Sequence, residues 1–400
     1  MTIFLPKEVR NICSVLTAHG FEAFAVGGAV RDSLLGRTPE DWDVTTNAKP
    51  EEVKALFQRT IDTGIEHGTV TVRKHGKSYE VTTYRLDGDY LDSRHPKDVT
   101  FTSSLKEDLK RRDFTVNAMA YNETAGLQDY FGGQEDLKAG VIRAVGDPKE
   151  RFTEDALRIL RAVRFSAALG FTIEEKTLAA AKELAPRVAL ISAERIREEL
   201  LKTLVSAHPD YAGILSDIGV FGFFYPEFAA KKDGICARLL RVKPEKTLRL
   251  AAFFGNAGED KAATLAIAER VLQFLKFDND TRDAVLHILK FSGRRLTPDS
   301  RELRRFLNEC GKESAGEVLD YLAEAEECDL IAVKKEVVRI MNAGECTSLK
   351  ELAVSGNDLI AAGLRPGREM GRILTSLLEE VLEDPARNTR EYLMSRVKSE

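Results

Sequence analysis

The segment EDWDVTT at residues 40–46 carries two aspartates, Asp41 and Asp43, separated by a single residue. Side chains two positions apart on a β-strand point to the same face of the sheet, so the two carboxylates are expected side by side. A divalent cation would relieve their repulsion, and Mg²⁺ prefers such oxygen ligands. Two ions there would activate an attacking hydroxyl and stabilise a leaving pyrophosphate. Glu80 is the candidate for a third carboxylate, and a solvent-facing strand edge is the alternative interpretation.

A pair of glycines, Gly27 and Gly28 in VGGAVRD, precedes the acidic pair. FEAFAVGG is typical of a short strand that runs into a glycine turn, and AVRDSLLG of a helix that ends at Gly36. Such a turn lets the backbone approach a phosphate, the helix start offers unpaired N–H groups, and Arg31 adds a charge-assisted contact. A plain strand-to-helix turn is the commoner explanation of two glycines. The acidic strand that follows favours a nucleotide site.

The segment LKRRDFTVNAMA at residues 109–120 combines adjacent positive charge with short polar side chains. Arg111 and Arg112 supply the charge, and Asp113 and Asn117 supply the polar groups. Contacts to a triphosphate and a ribose are the functional interpretation. A solvated helix start explains the same residues, because runs of charge on a helix usually face water.

The segment RFTEDALRILRAVRF at residues 151–165 is predicted to be a helix with Thr153 as its N-cap. Acids in the first turn need no further explanation than the helix dipole. Asp155 and Arg158, however, are three residues apart and are expected on one helix face. A carboxylate accepts and a guanidinium donates, whereas cytosine and adenine each present an amino donor beside a ring-nitrogen acceptor. Guanine and uracil present the reverse, so the pair could accept C and A and reject G and U.

The 400 residues are enough for two to four domains, and the net charge of −5 argues against a protein that coats nucleic acid with its whole surface. The five cysteines are scattered and never in CxxC spacing, which fits a reducing cytosol and no zinc site. No signal peptide and no membrane-spanning run is evident. We therefore expect a cytoplasmic protein that does not bind a membrane, and nothing indicates an obligate protein partner.

The elements needed to position these residues fall into two parts. Residues 1–148 mix strands and helices, with a predicted hairpin GTVTVRKHGKSYEVTTYR that turns at His75-Gly76 and a helix that starts at Pro50. Residues 86–104 are predicted to be a long polar loop, and loops of this length are usually functional or mobile. After Pro148 the pattern becomes helical and strand-like alternation does not return. An α+β fold is expected.

The successive motifs GGAVRDSLLG…EDWDVTT, LKRRDFTVNAMA, GVIRAVGDPKERFTEDALRILRAVRF and SAERIREELLKTL resemble those of the bacterial-type (class II) tRNA nucleotidyltransferases, which comprise the CCA-adding enzymes and their poly(A) polymerase relatives. VSGNDLIAAGLRPGREMGRIL resembles their C-terminal segment. The resemblance implies a polymerase-β-like nucleotidyltransferase head followed by an all-helical neck, body and tail. The expected divisions are a catalytic head at 1–148, a neck with a base-templating pocket at 149–205, a body at 206–315 and a tRNA-binding tail at 316–400.

The resemblance also implies a role for each motif residue. Asp41 and Asp43 would be catalytic and hold two Mg²⁺ ions, and SAERIREEL would lie in the neck helix that supports the pocket. Asp155 and Arg158 would template the incoming base. The remaining nucleotide-binding residues would line the triphosphate seat, contact sugar and phosphate, or lie near the template; they are Gly27, Gly28, Arg31, Arg111, Arg112, Asp113, Asn117, Arg161 and Arg164.

The function implied by the resemblance is addition of C, C and A to the 3′ end of tRNA from CTP and ATP, with release of pyrophosphate. Addition of CC alone is disfavoured because the loop at 86–104 is long, and poly(A) synthesis because the chain has EDALR where such polymerases typically have EDPVR. Addition of A alone stays open. A non-catalytic RNA-binding protein would be expected to have lost Asp41 or Asp43, and a small-molecule nucleotidyltransferase would not need the long helical body.

Overall fold

A computed structural model describes residues 3–87 and 99–397. The N-terminal part contains a seven-stranded mixed sheet in the order β3-β4-β5-β2-β1-β8-β9, and β6 and β7 form a separate two-stranded ribbon. Within the sheet, only β2 and β5 pair in parallel. The strands are β1 (Ala23–Val26), β2 (Asp43–Thr46), β3 (Thr60–Gly64), β4 (Thr69–Lys74), β5 (Lys77–Thr83), β6 (Arg85–Asp87), β7 (Val99–Phe101), β8 (Met119–Asn122) and β9 (Gly126–Asp129).

The predicted hairpin is confirmed as β4 and β5, which are joined by His75 and Gly76. Both turn residues have positive φ, 48° and 80°, as the two-residue turns that match strand twist require. Several residues of the two strands, among them Val70, Val72 and Val81, are buried. In the sheet, the hairpin lies between the central strand β2 and the edge strand β3.

Five helices accompany the sheet: α1 (Lys7–Ala18), α2 (Gly28–Leu34), α3 (Pro50–Leu56), α4 (Leu105–Lys110) and α5 (Gly133–Ala139). α1 buries Val9, Ile12, Cys13 and Leu16, the i, i+3, i+4, i+7 stripe of an amphipathic helix. The predicted helix ending before Gly36 is confirmed as α2, and Pro50 is the first residue of α3 as expected.

The predicted loop at 86–104 is wrong at both ends. Residues 85–87 and 99–101 pair as the antiparallel β6–β7 ribbon, with Arg85 opposite Phe101. α4 then begins at Leu105, with Ser104 accepting a hydrogen bond from the amide of Glu107 as its N-cap. β6 and β7 are three residues each, too short for an alternation of polar and apolar residues to be recognised in the sequence. The rest of the predicted loop, residues 88–98, lies outside the described residues.

The remainder is helical apart from one short pairing, β10 (Val141–Ile142) with β11 (Thr172–Ile173), so the expectation that no strand follows Pro148 is wrong at β11. The α+β fold is confirmed. The helices are α6 (Pro148–Glu154), α7 (Leu157–Leu169), α8 (Glu175–Leu184), α9 (Ala193–Leu204), α10 (Ala212–Asp217), α11 (Phe228–Arg241), α12 (Lys246–Phe254), α13 (Lys261–Phe274), α14 (Asn279–Lys290), α15 (Ser300–Cys310), α16 (Ala315–Ala325), α17 (Ile331–Asn342), α18 (Gly356–Ala361), α19 (Arg368–Glu383) and α20 (Arg390–Val397).

The chain divides into two compact units. The first comprises residues 1–236 and 271–277 and contains the sheet, while the second comprises residues 237–270 and 278–400 and is helical. Near its C-terminus the second unit has a core built on Leu377, Leu378, Val381 and Leu382 of α19. Among the described residues, no helix is both long and apolar enough to cross a membrane. The division into head, neck, body and tail stays a prediction.

Candidate active site

The glycine turn joins β1 to α2 on the first unit. Gly27 has φ 75° and ψ −133°, a backbone conformation that is essentially restricted to glycine. Its amide donates to the carbonyl of Met119, which ties the turn to β8. A Cβ at Gly27 would lie 3.2 Å from Nη1 of Arg112, so the missing side chain leaves room for that guanidinium.

Arg112 brings a positive charge to this turn. Its side chain is 22% exposed, and its Nη2 lies 3.8 Å from Oδ2 of Asp108. Asp108 is also the partner of Arg111, whose Nη2 lies 2.7 Å from Oδ1. Burial lowers the pKa of Arg112, and its Nε has no hydrogen-bond partner among the described residues. The carboxylate of Asp108 thus contacts two guanidinium groups, and Nη1 of Arg112 lies beside the glycine turn.

Asp108 is a residue that the sequence interpretation missed. It is fully buried and accepts a hydrogen bond from Oγ1 of Thr45 on β2, at 3.0 Å. Burial alone would raise the pKa of its carboxyl, but Arg111 and Arg112 hold that pKa below its usual value. The spacing of three and four residues between Asp108 and the two arginines was the available signal.

The acidic pair lies at the start of β2, although not as the sequence predicts. The strand begins at Asp43, so Asp41 precedes it, while the indole of Trp42 between them is buried. Register pairs Val44 with Val81 of β5. Desolvation raises the pKa of Asp43, the nearby charges of Glu80 and Asp41 raise it further, and Arg112 opposes them. Three carboxylates, those of Asp41, Asp43 and Glu80, therefore interact electrostatically at the start of β2.

The carboxylates of Asp41 and Asp43 fit a Mg²⁺ site that is completed by water and substrate phosphates. The residues described by the structure contain no group of three or more His, Cys, Asp or Glu side chains arranged to hold a metal ion. Mg²⁺ is commonly bound by one or two carboxylates together with water and substrate phosphates. Asp41 and Asp43 match that pattern, and the raised pKa of Asp43 reflects a repulsion that a cation would relieve.

Asp113 is at the centre of a buried network that joins several of the predicted residues. Its Oδ2 accepts from Nε of Arg161 at 2.8 Å, and its Oδ1 accepts from Nδ2 of Asn117 at 3.2 Å. Oδ1 of Asn117 in turn accepts from Nη1 of Arg31 at 2.6 Å. Burial would raise the pKa of Asp113, but the Arg161 guanidinium and these hydrogen bonds lower it to about 2. Asp113 and Asn117 are thus within hydrogen-bonding distance of each other and of two arginines.

Phe165 on α7 packs against three of the predicted arginines. The guanidinium carbons of Arg31, Arg161 and Arg164 lie 5.1, 5.2 and 4.0 Å from the centre of its ring. Nε of Arg164 lies 2.7 Å from Oε2 of Glu199 on α9. The aromatic face holds the cations close together by cation–π attraction. Nothing in the sequence interpretation identified either Phe165 or Glu199.

The segment that holds the expected template is broken into two helices. Thr153 lies in the last turn of α6, so its prediction as an N-cap is wrong; the N-cap is Asp147, which accepts from the amide of Lys149 and is followed by Pro148. Asp155 ends α6 with extended backbone, φ −141° and ψ 105°. Arg158 lies in the first turn of α7. The two therefore do not share the face of one continuous helix.

Asp155 and Arg158 have separate partners. Arg195 of α9 donates to Asp155, with Nη2 2.8 Å from Oδ2 and Nη1 3.4 Å from Oδ1. Nη1 of Arg158 donates to Oε2 of Glu154 at 2.6 Å and to the carbonyl of Arg151 at 3.2 Å. Its Nη2 donates at 3.0 Å to a backbone carbonyl, that of Arg111. Contacts thus run from the glycine turn through Arg112, Asp108 and Arg111 to Arg158, all within the first unit.

Comparison with known families defines the class of protein to which this fold and site belong. Residues 23–143 match the Poly A polymerase head domain. Residues 170–232 match a family described as "Probable RNA and SrmB- binding site of polymerase A", and residues 261–397 match the second domain of tRNA nucleotidyltransferases. The sheet and the Asp113–Asn117 pair thus lie within the matched head domain.

Individual relatives narrow this class. A CCA-adding enzyme of Enterococcus faecalis is 38% identical over 396 residues, covering 98% of this chain and 96% of that protein. One of Levilactobacillus brevis is 39% identical over 402 residues, with 98% of each covered. The crystal structure of the Bacillus stearothermophilus CCA-adding enzyme in complex with CTP superposes with a TM-score of 0.85 at 33% identity and covers 99% of each chain. The chain belongs to the CCA-adding enzyme family.

Proposed function

We propose that this protein adds the 3′-terminal C, C and A to tRNA, using CTP and ATP and releasing pyrophosphate. One observation carries the proposal: the likeness to CCA-adding enzymes extends over almost the whole chain. The candidate metal ligands Asp41 and Asp43 are both present in the sequence. The tRNA 3′ end is then the macromolecular substrate. The cytoplasm, where tRNA is matured and used, is the expected location.

The triphosphate would be bound at the glycine turn. Gly27 lets the backbone approach the phosphates without a Cβ in the way, and Arg112 supplies a guanidinium that Asp108 only partly neutralises. Guanidinium groups form strong charge-assisted hydrogen bonds with phosphate oxygens. Arg31 is already bound to Asp32 and Asn117, so its main contribution is to position this turn and add positive field.

The carboxylates of Asp41 and Asp43 would hold two Mg²⁺ ions. When bound, such ions lower the pKa of an attacking hydroxyl and neutralise charge on the leaving pyrophosphate. The chain itself supplies a negatively charged region at the start of β2, where Glu80 adds to the field that attracts cations. Arg112, beside the glycine turn, carries the opposite charge. The turn would therefore bind the anionic triphosphate, and the start of β2 would bind the cations.

The base would be selected by Asp155 and Arg158. A guanidinium has five N–H donors. Three of those of Arg158 are used by Glu154 and two backbone carbonyls, which leaves Nε and one hydrogen of Nη2 for a base. Asp155 keeps acceptor capacity on Oδ2. Cytosine and adenine offer the matching amino donor and ring-nitrogen acceptor, whereas uracil and guanine would place carbonyl oxygen against carboxylate.

A tRNA-extension assay tests the proposed function. Purified protein is incubated with Mg²⁺ and tRNAs that end before CCA, after C and after CC, and each nucleoside triphosphate is supplied alone and in combination. The proposal predicts C addition to the first two, A addition to the third, and termination at a complete CCA end. Extension of the third tRNA alone would indicate an A-only enzyme, and continued A addition a poly(A) polymerase; either result contradicts the proposal.

A further inference from the structure

We propose that Asp108, on α4, is a positioning residue that holds Arg112 where its guanidinium can bind the triphosphate of the incoming nucleotide. The inference rests on the proposed binding of the triphosphate at the glycine turn and extends it to a carboxylate that the sequence interpretation missed. Because the side chain of Asp108 is fully buried, it acts through its neighbours and not on the nucleotide itself.

One oxygen of the Asp108 carboxylate, Oδ1, holds Arg111 and the start of the β6–β7 ribbon. Nε and Nη2 of Arg111 both donate to this oxygen, at 3.1 and 2.7 Å. The backbone amide of Arg85, the first residue of β6, donates to the same oxygen at 3.4 Å. The carboxylate is therefore attached on this side to a cation and to a neighbouring element of the head.

The other oxygen, Oδ2, connects β2 to Arg112. Oγ1 of Thr45, two residues after Asp43 on β2, donates to Oδ2 at 3.0 Å. Nη2 of Arg112 lies 3.8 Å from Oδ2, an ion pair that is longer than a hydrogen bond. Asp108 thus attracts Arg112 without a hydrogen bond, so that the guanidinium is oriented and can still bind a second anion.

The contacts of Asp108 bring the proposed metal-binding and triphosphate-binding regions into one connected structure. β2 begins at Asp43, and the carboxylate of Asp108 joins this strand to the arginine beside Gly27. In-line transfer needs the metal ions and the triphosphate in a fixed relative position, since a misplacement of about 1 Å can cost ~100-fold in rate. A buried carboxylate with several hydrogen-bond donors is a rigid connection of this kind.

A role of Asp108 through charge alone predicts the opposite effect on nucleotide binding. The negative charge beside Arg112 makes this region less positive, so its removal alone would strengthen the attraction for a triphosphate. Loss of a positioning group would weaken binding, because the carboxylates of Asp43 and Asp113 also attract Arg112 and would then compete for its guanidinium. We expect the positioning effect to be the larger one, since Arg111 would lose its acceptor as well.

Four variants of the full-length protein separate these roles. Asp108→Asn removes the charge, Thr45→Val removes only the hydroxyl that holds Oδ2, and Thr45→Ser keeps that hydroxyl. Thr83→Val is the matched control, because Thr83 is a buried threonine of β5 whose hydroxyl donates to the carbonyl of Ala48, at 2.7 Å. The readouts are the Kd for CTP, measured by calorimetry with Mg²⁺ and without tRNA, the KM and kcat for CTP and ATP, the CTP/UTP incorporation ratio, and the thermal midpoint.

Asp108→Asn is expected to raise the Kd for CTP and the KM for CTP and ATP about tenfold, and Thr45→Val about threefold. Thr45→Ser and Thr83→Val should keep the parental values. We expect kcat to change less than KM, because the triphosphate is bound both before and during the reaction. The CTP/UTP ratio should stay parental, because all nucleotides carry the same triphosphate.

Three results would overturn the positioning role. A lower Kd for CTP in Asp108→Asn, with a parental Kd in Thr45→Val, would mean that Asp108 acts by charge alone. Parental Kd and KM values in both variants, with a lower thermal midpoint, would mean that Asp108 only stabilises the fold. A rise in Kd in Thr83→Val equal to that in Thr45→Val would mean that loss of any buried hydroxyl has this effect. If Asp108→Asn does not fold, the comparison of Thr45→Val with Thr45→Ser decides alone.

The Kd for CTP also separates this inference from the proposed function, because it does not depend on which nucleotides are added to tRNA. If the parent binds CTP but fails in the tRNA-extension assay, CCA addition is contradicted, and the Kd values of the variants still decide the role of Asp108. If the parent does not bind CTP, both proposals are overturned together.

Discussion

Asp43 illustrates how a single residue can be suited to a ligand and unfavourable for folding. Its pKa is raised by desolvation and by Glu80, so the ionised carboxylate is less favourable in the folded chain than in the unfolded one. A raised carboxyl pKa makes stability fall as pH rises through the unfolded value near ~4. At neutral pH the charge therefore costs stability, which bound Mg²⁺ would restore.

Asp43→Asn is accordingly expected to abolish nucleotide transfer while leaving the thermal midpoint at pH 7 equal or higher. Mg²⁺ should raise the midpoint of the parent, because a ligand that binds only the folded state stabilises it, and should raise that of the variant less. Asp62→Asn, which breaks the exposed ion pair with Lys54, is the control and should keep transfer and the Mg²⁺ response. Substantial transfer by Asp43→Asn would refute the metal-site assignment.

The pKa of Asp113 is shifted in the opposite direction to that of Asp43. Its pKa is lowered to about 2 in the folded chain, so its pairing with Arg161 stabilises the protein above pH ~4 and is lost as pH falls towards 2. Asp113→Asn should cost roughly 2 kcal/mol at pH 7, below the usual cost of breaking a buried pair because Arg161 is 33% exposed. Urea unfolding of parent and variant at pH 7 and pH 3 measures this. If the free energies of unfolding of parent and variant differed by the same amount at both pH values, the ion pair would not be the cause of the difference.

At the scale of elements, the sequence predicts the turns that join neighbouring strands and helices, but it does not predict the break between α6 and α7. The β4–β5 hairpin follows from β-branched alternation around His75-Gly76, and α2 from its glycines. The break at Asp155 could not be recognised, because EDALR has good helix formers on both sides and the partner of the Asp155 side chain, Arg195 of α9, is distant in sequence. Asp108, Phe165 and Glu199 were missed because their roles depend on partners distant in sequence.

The β1–α2 turn provides a test at this scale. Gly27→Ala forces a side chain into a glycine-only conformation and places its Cβ 3.2 Å from Nη1 of Arg112. We expect a loss of ~1–3 kcal/mol of stability, together with a higher KM for CTP and ATP because Arg112 is displaced. Gly20→Ala is the control, with positive φ but nothing within 4 Å of the added Cβ. An equal rise in KM in both variants would show that strain alone, not the approach to Arg112, affects the nucleotide.

At the scale of the whole molecule, the acidic net charge of −5 has to be reconciled with binding to RNA. The sequence favours Arg195, Arg197 and the C-terminal arginines as phosphate contacts. Of these, Arg195 is bound to Asp155, and the guanidinium carbon of Arg197 lies 5.8 Å from the ring centre of Phe277. Among the C-terminal arginines, those at the start of α19 and just before it are better placed for such contacts. Arg365, Arg368 and Arg372 are exposed, and none forms an ion pair with another described residue.

We expect tRNA affinity to fall steeply with salt, and replacement of these three arginines by glutamine to make the log–log slope shallower by about 0.7–0.9 for each phosphate that is no longer neutralised. Arg305→Gln is the control, because Arg305 is already paired with Glu379 and Glu383. Binding curves at several salt concentrations give the slopes. An affinity independent of salt would exclude an electrostatic platform, and an unchanged slope in the triple variant would exclude these arginines from it.

In the proposed function, two protein side chains, those of Asp155 and Arg158, select the incoming base. The most direct measurement is the CTP/UTP incorporation ratio of Asp155→Ala together with its thermal midpoint. Loss of the acceptor for the amino group should cost about 1–3 kcal/mol of discrimination, a 5- to 150-fold fall in the ratio. If Asp155 only supports the start of α7, stability should drop by roughly 0.3–1 kcal/mol and the ratio should stay at its parental value. A lower midpoint with an unchanged ratio would contradict the account.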